Sequence, residues 1–251
     1  MVVIADKEMS QAELFAEFRD SFERDIISTL VSSSQQYRYD SLNQLRFELR
    51  LRKEIVNAAR ELYRSGLEFS VFRKSRCNPT YWNRSSNGGF VLRDGVKPSD
   101  AILDIYRNGS MYATECATAM MIVYYKALLS VYSESQFNKL FPRIELMNWN
   151  QIDRNLREVG SMSKRADYLP GDRRYFSNPD VDPIEPEWQG ENVIQLGNDL
   201  YYGHGIGIQN ASRIIQELNE NRIFNADESA RLLDSAARPD FKRLYGFSQR
   251  N

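Results

Sequence analysis

Tyr112-Ala113-Thr114-Glu115-Cys116-Ala117-Thr118-Ala119-Met120-Met121-Ile122-Val123-Tyr124-Tyr125-Lys126-Ala127-Leu128-Leu129-Ser130-Val131-Tyr132 is the stretch that decides how this chain folds. From Ala117 to Tyr132 only Thr118, Lys126 and Ser130 are polar. A segment apolar nearly all round has no side to leave in water, so it predicts a helix, about 114–132, buried at the centre of the fold. Its longest uninterrupted apolar run, 119–125, falls far short of the ~20 residues that span a bilayer. With Thr114 as the cap, Cys116 lies in the first turn, where free N–H groups and the helix dipole favour a thiolate by ~0.3–1 kcal/mol. Glu115 beside it acts the other way by repulsion. Free cysteine is also a common small core residue, so both nucleophile and packing stay open here.

Outward from this helix the pattern is mixed. Ser10-Gln11-Ala12-Glu13 has capping-box spacing, with Met9 and Leu14 as a hydrophobic staple, and predicts a helix to about Leu30. Ser41-Leu42-Asn43-Gln44 repeats the signal, and Leu45, Leu49, Val56 and Ala59 recur at helical spacing until Gly66. The first third is thus mostly helical, its Arg and Glu residues reading as solvated faces. Turn residues at Asn78-Pro79, Ser85-Ser86-Asn87-Gly88-Gly89 and Asp94-Gly95 surround a short strand, Phe90-Val91-Leu92. Pro98 starts a helix that Asn108-Gly109 ends. Residues 160–190 are poor in aliphatics and carry Pro170, Pro179, Pro183 and Pro186, which reads as an irregular active-site loop or a linker. A histidine hairpin at about 191–208 follows, then helices near 211–218 and 227–235. The predicted fold is α+β, one compact domain over 1–251 with the cysteine helix packed against a small antiparallel sheet that carries the histidine.

Composition removes several classes. Lys and Arg number 33 against 34 Asp and Glu, so no net field draws the chain to nucleic acid or a membrane surface. Two cysteines, Cys77 and Cys116, make no disulfide framework, and a single histidine allows no Cys/His zinc cluster, so no metal or other cofactor is expected. The N-terminal residues lack the basic and apolar regions of a secretory signal, which leaves the cytosol as the expected compartment.

The single histidine, His204, stands in Tyr201-Tyr202-Gly203-His204-Gly205-Ile206-Gly207-Ile208. Imidazole is the usual partner that takes a thiol proton and returns it to a leaving amine, so Cys116 and His204 form a candidate nucleophile and base. A two-residue Gly197-Asn198 hairpin loop would set Glu191 opposite His204, where a carboxylate can hold the ring. A three-residue loop 197–199 would set Asn192 there instead, and asparagine can also orient a histidine. Gly203 and Gly205 leave space for a substrate chain near the ring. A dinucleotide loop fits poorly, since Ile208 stands where its last glycine would be. Cys77 is a weaker rival nucleophile, in an irregular stretch without a helix start.

Four segments, 112–120, Asn148-Trp149-Asn150, Glu187-Trp188-Gln189-Gly190-Glu191-Asn192-Val193-Ile194 and 201–207, together resemble the small spore-coat transglutaminases of endospore-forming bacteria, over essentially the whole chain. The resemblance implies an NlpC/P60-like core, Cys116 as nucleophile, His204 as base, Glu191 as third residue, and Glu115 as its partial substitute. It further implies calcium-independent transfer of a protein glutamine's acyl group to lysine, with Phe69, Trp149, Tyr175 and Trp188 walling a substrate tunnel. The partners would be spore-coat proteins and the chain a monomer, made in the mother-cell cytoplasm and then held in the coat. Loss of His204 would then be nearly as damaging as loss of Cys116. The alternatives are a cysteine amidase or peptidase on the same residues, and a structural coat protein in which they are merely packed.

Overall fold

The computed structural model describes residues 1–250, the side chain of Asn150 apart. The chain opens with β1 (Val2–Ile4) and β2 (Lys7–Met9), then α1 (Gln11–Glu17) and α2 (Ser21–Ser32). Ser10 and Glu13 form the expected capping box. The helix expected to run to Leu30 is broken in two, because Asp20 accepts the Glu23 N–H and caps a second start. β3 (Tyr37–Tyr39) joins β1 in parallel. α3 (Leu42–Arg64) is capped by Ser41 and followed by Gly66 at φ 83°, a left-handed stop that side chains resist. β4 (Glu68–Phe69), β5 (Trp82–Arg84), β6 (Phe90–Leu92), α4 (Pro98–Arg107) and β7 (Ala113–Thr114) lead to α5 (Cys116–Val131).

α5 is the predicted central helix. Its residues 119–125 are buried, packed with Leu51 and Ile55 of α3 and with Ile194 and Tyr202 of the sheet. Truncating one of its large side chains, such as Met121 or Ile122, to alanine should cost about 2–5 kcal/mol. The solvated faces expected of α3 are partly wrong. Arg52 is fully buried and pairs with Glu48 at 2.8 Å and with Asp172 at 2.9 Å. A charge pattern with an i,i+4 pair looks the same on a wet face as under a covering loop, and residues 170–172 cover this one.

After α6 (Glu134–Leu140) and β8 (Glu145–Leu146) come β9 (Arg173–Ser177), β10 (Gly190–Gly197), β11 (Leu200–Gly203) and β12 (Gly207–Asn210). α7 (Ala211–Asn219), β13 (Arg231–Leu232) and α8 (Phe241–Ser248) complete the order. β12, β11, β10, β9 and β13 form one antiparallel sheet in that order. The loop read at 160–190 therefore contains an inner strand, β9. Its Arg-Arg-Tyr-Phe-Ser sequence hides it, because its arginines are buried by specific partners rather than by apolar surroundings. The helix expected near 227–235 is also absent. Asp180 takes the N–H groups of Asp227 and Glu228, and the chain then extends to pair Arg231 and Leu232 with β9. No helix among the described residues is long and apolar enough to cross a membrane.

Candidate active site

β4 pairs in parallel with β7, Phe69 opposite Thr114, which brings Glu68 and Phe69 beside the start of α5. Because Thr114 is held in that strand, the cap is Glu115. Its carboxylate accepts the N–H groups of Ala117 at 2.6 Å and Thr118 at 2.7 Å. Burial still holds the Glu115 carboxyl above the usual carboxylate range, with these hydrogen bonds acting against it. The Glu115 carboxylate takes the N–H groups of Ala117 and Thr118 but not that of Cys116 itself, which belongs to the first turn and so has no partner within the helix.

Cys116 retains some exposed surface, yet desolvation is the largest influence on its thiol. Burial, then the charges of Glu191 and Glu115, push the thiol pKa well up, opposed by hydrogen bonds from Asn192. The helix start was expected to lower it. A dipole contribution of ~0.3–1 kcal/mol does not outweigh desolvation and two carboxylates. The side-chain amide of Asn192 donates to Sγ at 3.5 Å.

The hairpin register explains why Asn192 is there. Asn198 and Asp199 both take left-handed φ, 52° and 54°, and form the tight turn one residue later than the Gly197-Asn198 loop expected. Gly197 pairs with Leu200, the register shifts between Gln195 and Gly197, and Val193 then faces Gly203. Continuing one step sets Asn192 opposite His204, the alternative register of the two. Asn192 thus shares the face of Ile194 and Tyr202, which pack against α5.

His204 is buried, its ring beside Phe69 and the Thr114 backbone, and it makes two side-chain hydrogen bonds, neither of them, among the described residues, to the thiol. Nε2 lies 3.1 Å from the Glu68 carbonyl and Nδ1 lies 3.2 Å from the Tyr202 hydroxyl. A carbonyl only accepts, so Nε2 carries the proton and Nδ1 accepts from Tyr202. Burial lowers the ring pKa to about 4, which keeps the imidazole neutral at physiological pH. The expected thiol–imidazole hydrogen bond is absent among the described residues. The backbone N–H of His204 acts to lower the Glu191 carboxyl's pKa, and Oε1 is buried without a hydrogen-bond partner among the described residues. Burial, with repulsion from Glu115 second, pushes the Glu191 carboxyl well above the usual range.

The glycines beside His204 make room for the protein's own groups. A Cβ on Gly203 would stand 2.9 Å from Cγ and Oε1 of Glu191, and one on Gly205 would meet the Phe69 ring at 3.1 Å. Phe69, Glu187, Trp188, Glu191, His204, Gly205 and Ile206 line a cavity of about 90 Å³. A wider hollow of about 380 Å³, with Tyr63 and Leu67, shares Phe69, His204, Gly205 and Ile206 with it. Of the four expected tunnel aromatics, Phe69 and Trp188 line the smaller cavity. Tyr175 does not line it, its hydroxyl acted on by Cys116 and Glu191, and Trp149 stacks under Arg173. Cys77 sits away from this site, its thiol pushed up to about 11 by burial. Arg173 was missed in the sequence because its strand reads as a loop; it donates to Asn192 Oδ1 at 2.6 Å.

A helix-borne thiol, two buried carboxyls and an amide donor define a centre capable of acyl transfer through a thioester. The comparisons give the class its family. The family described as protein-glutamine gamma-glutamyltransferase matches residues 1–248, and the chain belongs to it. It is 45% identical over 226 residues to the protein-glutamine gamma-glutamyltransferase of Bacillus mycoides (strain KBAB4), covering 90% of this chain and 81% of that one. The Bacillus cereus (strain B4264) protein of the same name is 46% identical over 215 residues, 86% and 77% of the two chains. The solved transglutaminase from Geobacillus stearothermophilus, without its C-terminal extension, superposes with a TM-score of 0.78 at 48% identity. That match covers 83% of this chain and 98% of the other, and the α+β architecture is shared. The chain is an acyltransferase, a transglutaminase.

Proposed function

We propose that Cys116 is the nucleophile of a calcium-independent cross-linking reaction and that Glu191, more than His204, moves the protons. The observation that carries this is the saturation of the imidazole by Tyr202 and Glu68, while Glu191 is the charge acting most strongly on the thiol. In its ionised form Glu191 takes the Cys116 proton, and a carboxyl with a raised pKa is a stronger base than an ordinary one. The thiolate attacks the glutamine carboxamide, and protonated Glu191 returns the proton to the departing ammonia. A thioester remains on Sγ. A lysine amine then attacks, gives its proton to Glu191, and leaves a γ-glutamyl-ε-lysine bond with free Cys116. The Cys116 N–H is the first oxyanion donor.

Glu115 holds the helix start and serves as a second carboxylate within reach of the thiol's field. His204 anchors the end of β11 to β4. Phe69 and Trp188 restrict the cavity to a slender side chain and keep water from the thioester, which lets an amine compete. Each step is carried by side chains of this chain, so a chelator should leave the reaction intact. The helix-borne thiol against an antiparallel sheet supports an NlpC/P60-like core within a single domain. The Bacillus origin of the relatives is consistent with spore-coat proteins as substrates, and we propose a monomer that acts in the mother-cell cytoplasm and then in the coat.

The test is incorporation of a fluorescent primary amine into a glutamine-rich protein with chelator present. Cys116→Ala should abolish it and Cys77→Ser should leave it unchanged. Deamidation or cleavage without incorporation would turn the reading to a hydrolase.

A further inference from the structure

Arg173 is a buried cation without an anion. It is 3% exposed, and among the described residues no carboxylate lies within ion-pair distance of it. Of the other two buried arginines, Arg52 has two such partners, whereas Arg174 has none and is held by the Ser235 and Leu233 carbonyls and by Gln195 Oε1, away from the thiol's own amide partner. Taking a guanidinium out of water is costly unless a counter-charge is close, so an unpaired one needs an explanation. Burial duly lowers the Arg173 pKa to about 10, while the surrounding groups that favour its charge are the Tyr124 hydroxyl, the Cys116 sulfur and the Tyr175 hydroxyl.

The guanidinium is held on three sides. Nε donates to the Val159 carbonyl at 2.8 Å, the Trp149 ring lies 4.1 Å from Cζ, and Nη1 donates to Asn192 Oδ1 at 2.6 Å. The same amide turns its Nδ2 toward Cys116 Sγ at 3.5 Å. A positive charge on the amide oxygen draws electron density from the nitrogen and makes its N–H a stronger donor to an anion. The amide also has no freedom to flip, since its oxygen is fixed by a cation.

We infer that the counter-ion missing from Arg173 is the Cys116 thiolate, and that Arg173 is a positioning residue acting through Asn192 to hold and stabilise it. The pair offsets the carboxylates on the other side of the sulfur: Glu115 at its own helix start and Glu191 on β10, with Tyr175 and Arg173 facing it from β9. When Glu191 takes the thiol proton, the neutral thiol beside Arg173 becomes the anion that satisfies it. No bond beyond S–H is broken in this step. The inference rests on the reading of Cys116 as nucleophile.

Alkylation of Cys116 by iodoacetamide, followed by mass spectrometry of the peptide that contains it, reports the thiolate fraction as a function of pH. In Arg173→Met the inflection should rise by roughly one to three pH units, about ten- to a thousandfold less thiolate at a fixed pH below it. Asn192→Ala should raise it similarly, and the double variant should shift no further than Asn192→Ala alone. Arg173→Lys keeps the charge and loses the fork, so it should restore part of the shift; it also serves if the methionine variant does not fold. An inflection unchanged in folded Arg173→Met or Arg173→Lys, or additive shifts in the double variant, would overturn the relay even if cross-linking fell. Full cross-linking by Cys116→Ala would instead overturn the nucleophile on which it rests.

Discussion

Glu191→Gln separates the cost of keeping a carboxyl buried from the use made of it. The residue is 5% exposed, lies against Gly203, and has a carboxyl oxygen without a hydrogen-bond partner among the described residues. Burial and Glu115 raise its folded-state pKa well above the ordinary 4.5, so the native protein keeps a proton there that the unfolded chain releases near that pH. Below the unfolded pKa both states are protonated and there is no penalty. As pH rises toward the folded pKa, the native state binds the extra proton and wild-type stability falls by about 1.4 kcal/mol for each pH unit. Glutamine does not ionise and removes that loss. Urea unfolding of both proteins between pH 5 and 8 should therefore show the variant gaining on wild type as pH rises. Amine incorporation by the same variant should fall roughly 10²–10⁴-fold, the scale of a lost general base, with Glu115 supporting the residue. A stability difference independent of pH would refute the buried-carboxyl argument. Full activity in Glu191→Gln beside an inactive, folded His204→Gln would return proton transfer to the imidazole.

Because ionised Glu191 is the active form and Glu115 is one cause of its raised pKa, Glu115→Gln should move the rise of activity with pH to lower pH, read from amine-incorporation rates. The same change weakens the cap on Ala117 and Thr118 and should cost about 0.5–2 kcal/mol in denaturant unfolding. His204→Gln loses ring contacts to Glu68 and Tyr202, so thermal melting should show a loss of about 1–3 kcal/mol, with turnover at 25 °C reduced less than about tenfold. Gly203→Ala places a methyl 2.9 Å from Glu191, and should cost about 1–3 kcal/mol while lowering activity in the manner of Glu191→Gln. Unchanged turnover in that variant would show that the carboxyl can move without consequence.

Much of the architecture was legible because its signals are local. The capping box at Ser10, the Ser41 start, Gly66 as stop and the apolar run after Cys116 each act within one or two turns, and a helix boundary formed at or within two residues of each, although the first helix ends at Glu17 rather than near Leu30. Asp20 was legible in principle as a second cap. β9 was not, because period-two hydrophobicity marks a strand only when apolar neighbours bury it, and here Val159, Asn192, Leu233 and Ser235 bury two arginines by hydrogen bonding. The predicted helix near 227–235 gave way to pairing with that same unseen strand.

The site divides in the same manner. Apolar patterning and glycine turns were enough to place Cys116 at the opening of a buried helix and His204 at the end of a hairpin strand. Which groups meet depended on strand pairing between distant segments. A one-residue shift of the turn to Asn198-Asp199 brought Asn192 to the face that looks on the thiol, and the β4–β7 pairing brought the Glu68 carbonyl to the imidazole. Side chains alternate faces along a strand, so register is an all-or-none choice that the hairpin residues leave nearly balanced and that packing against α5 resolves.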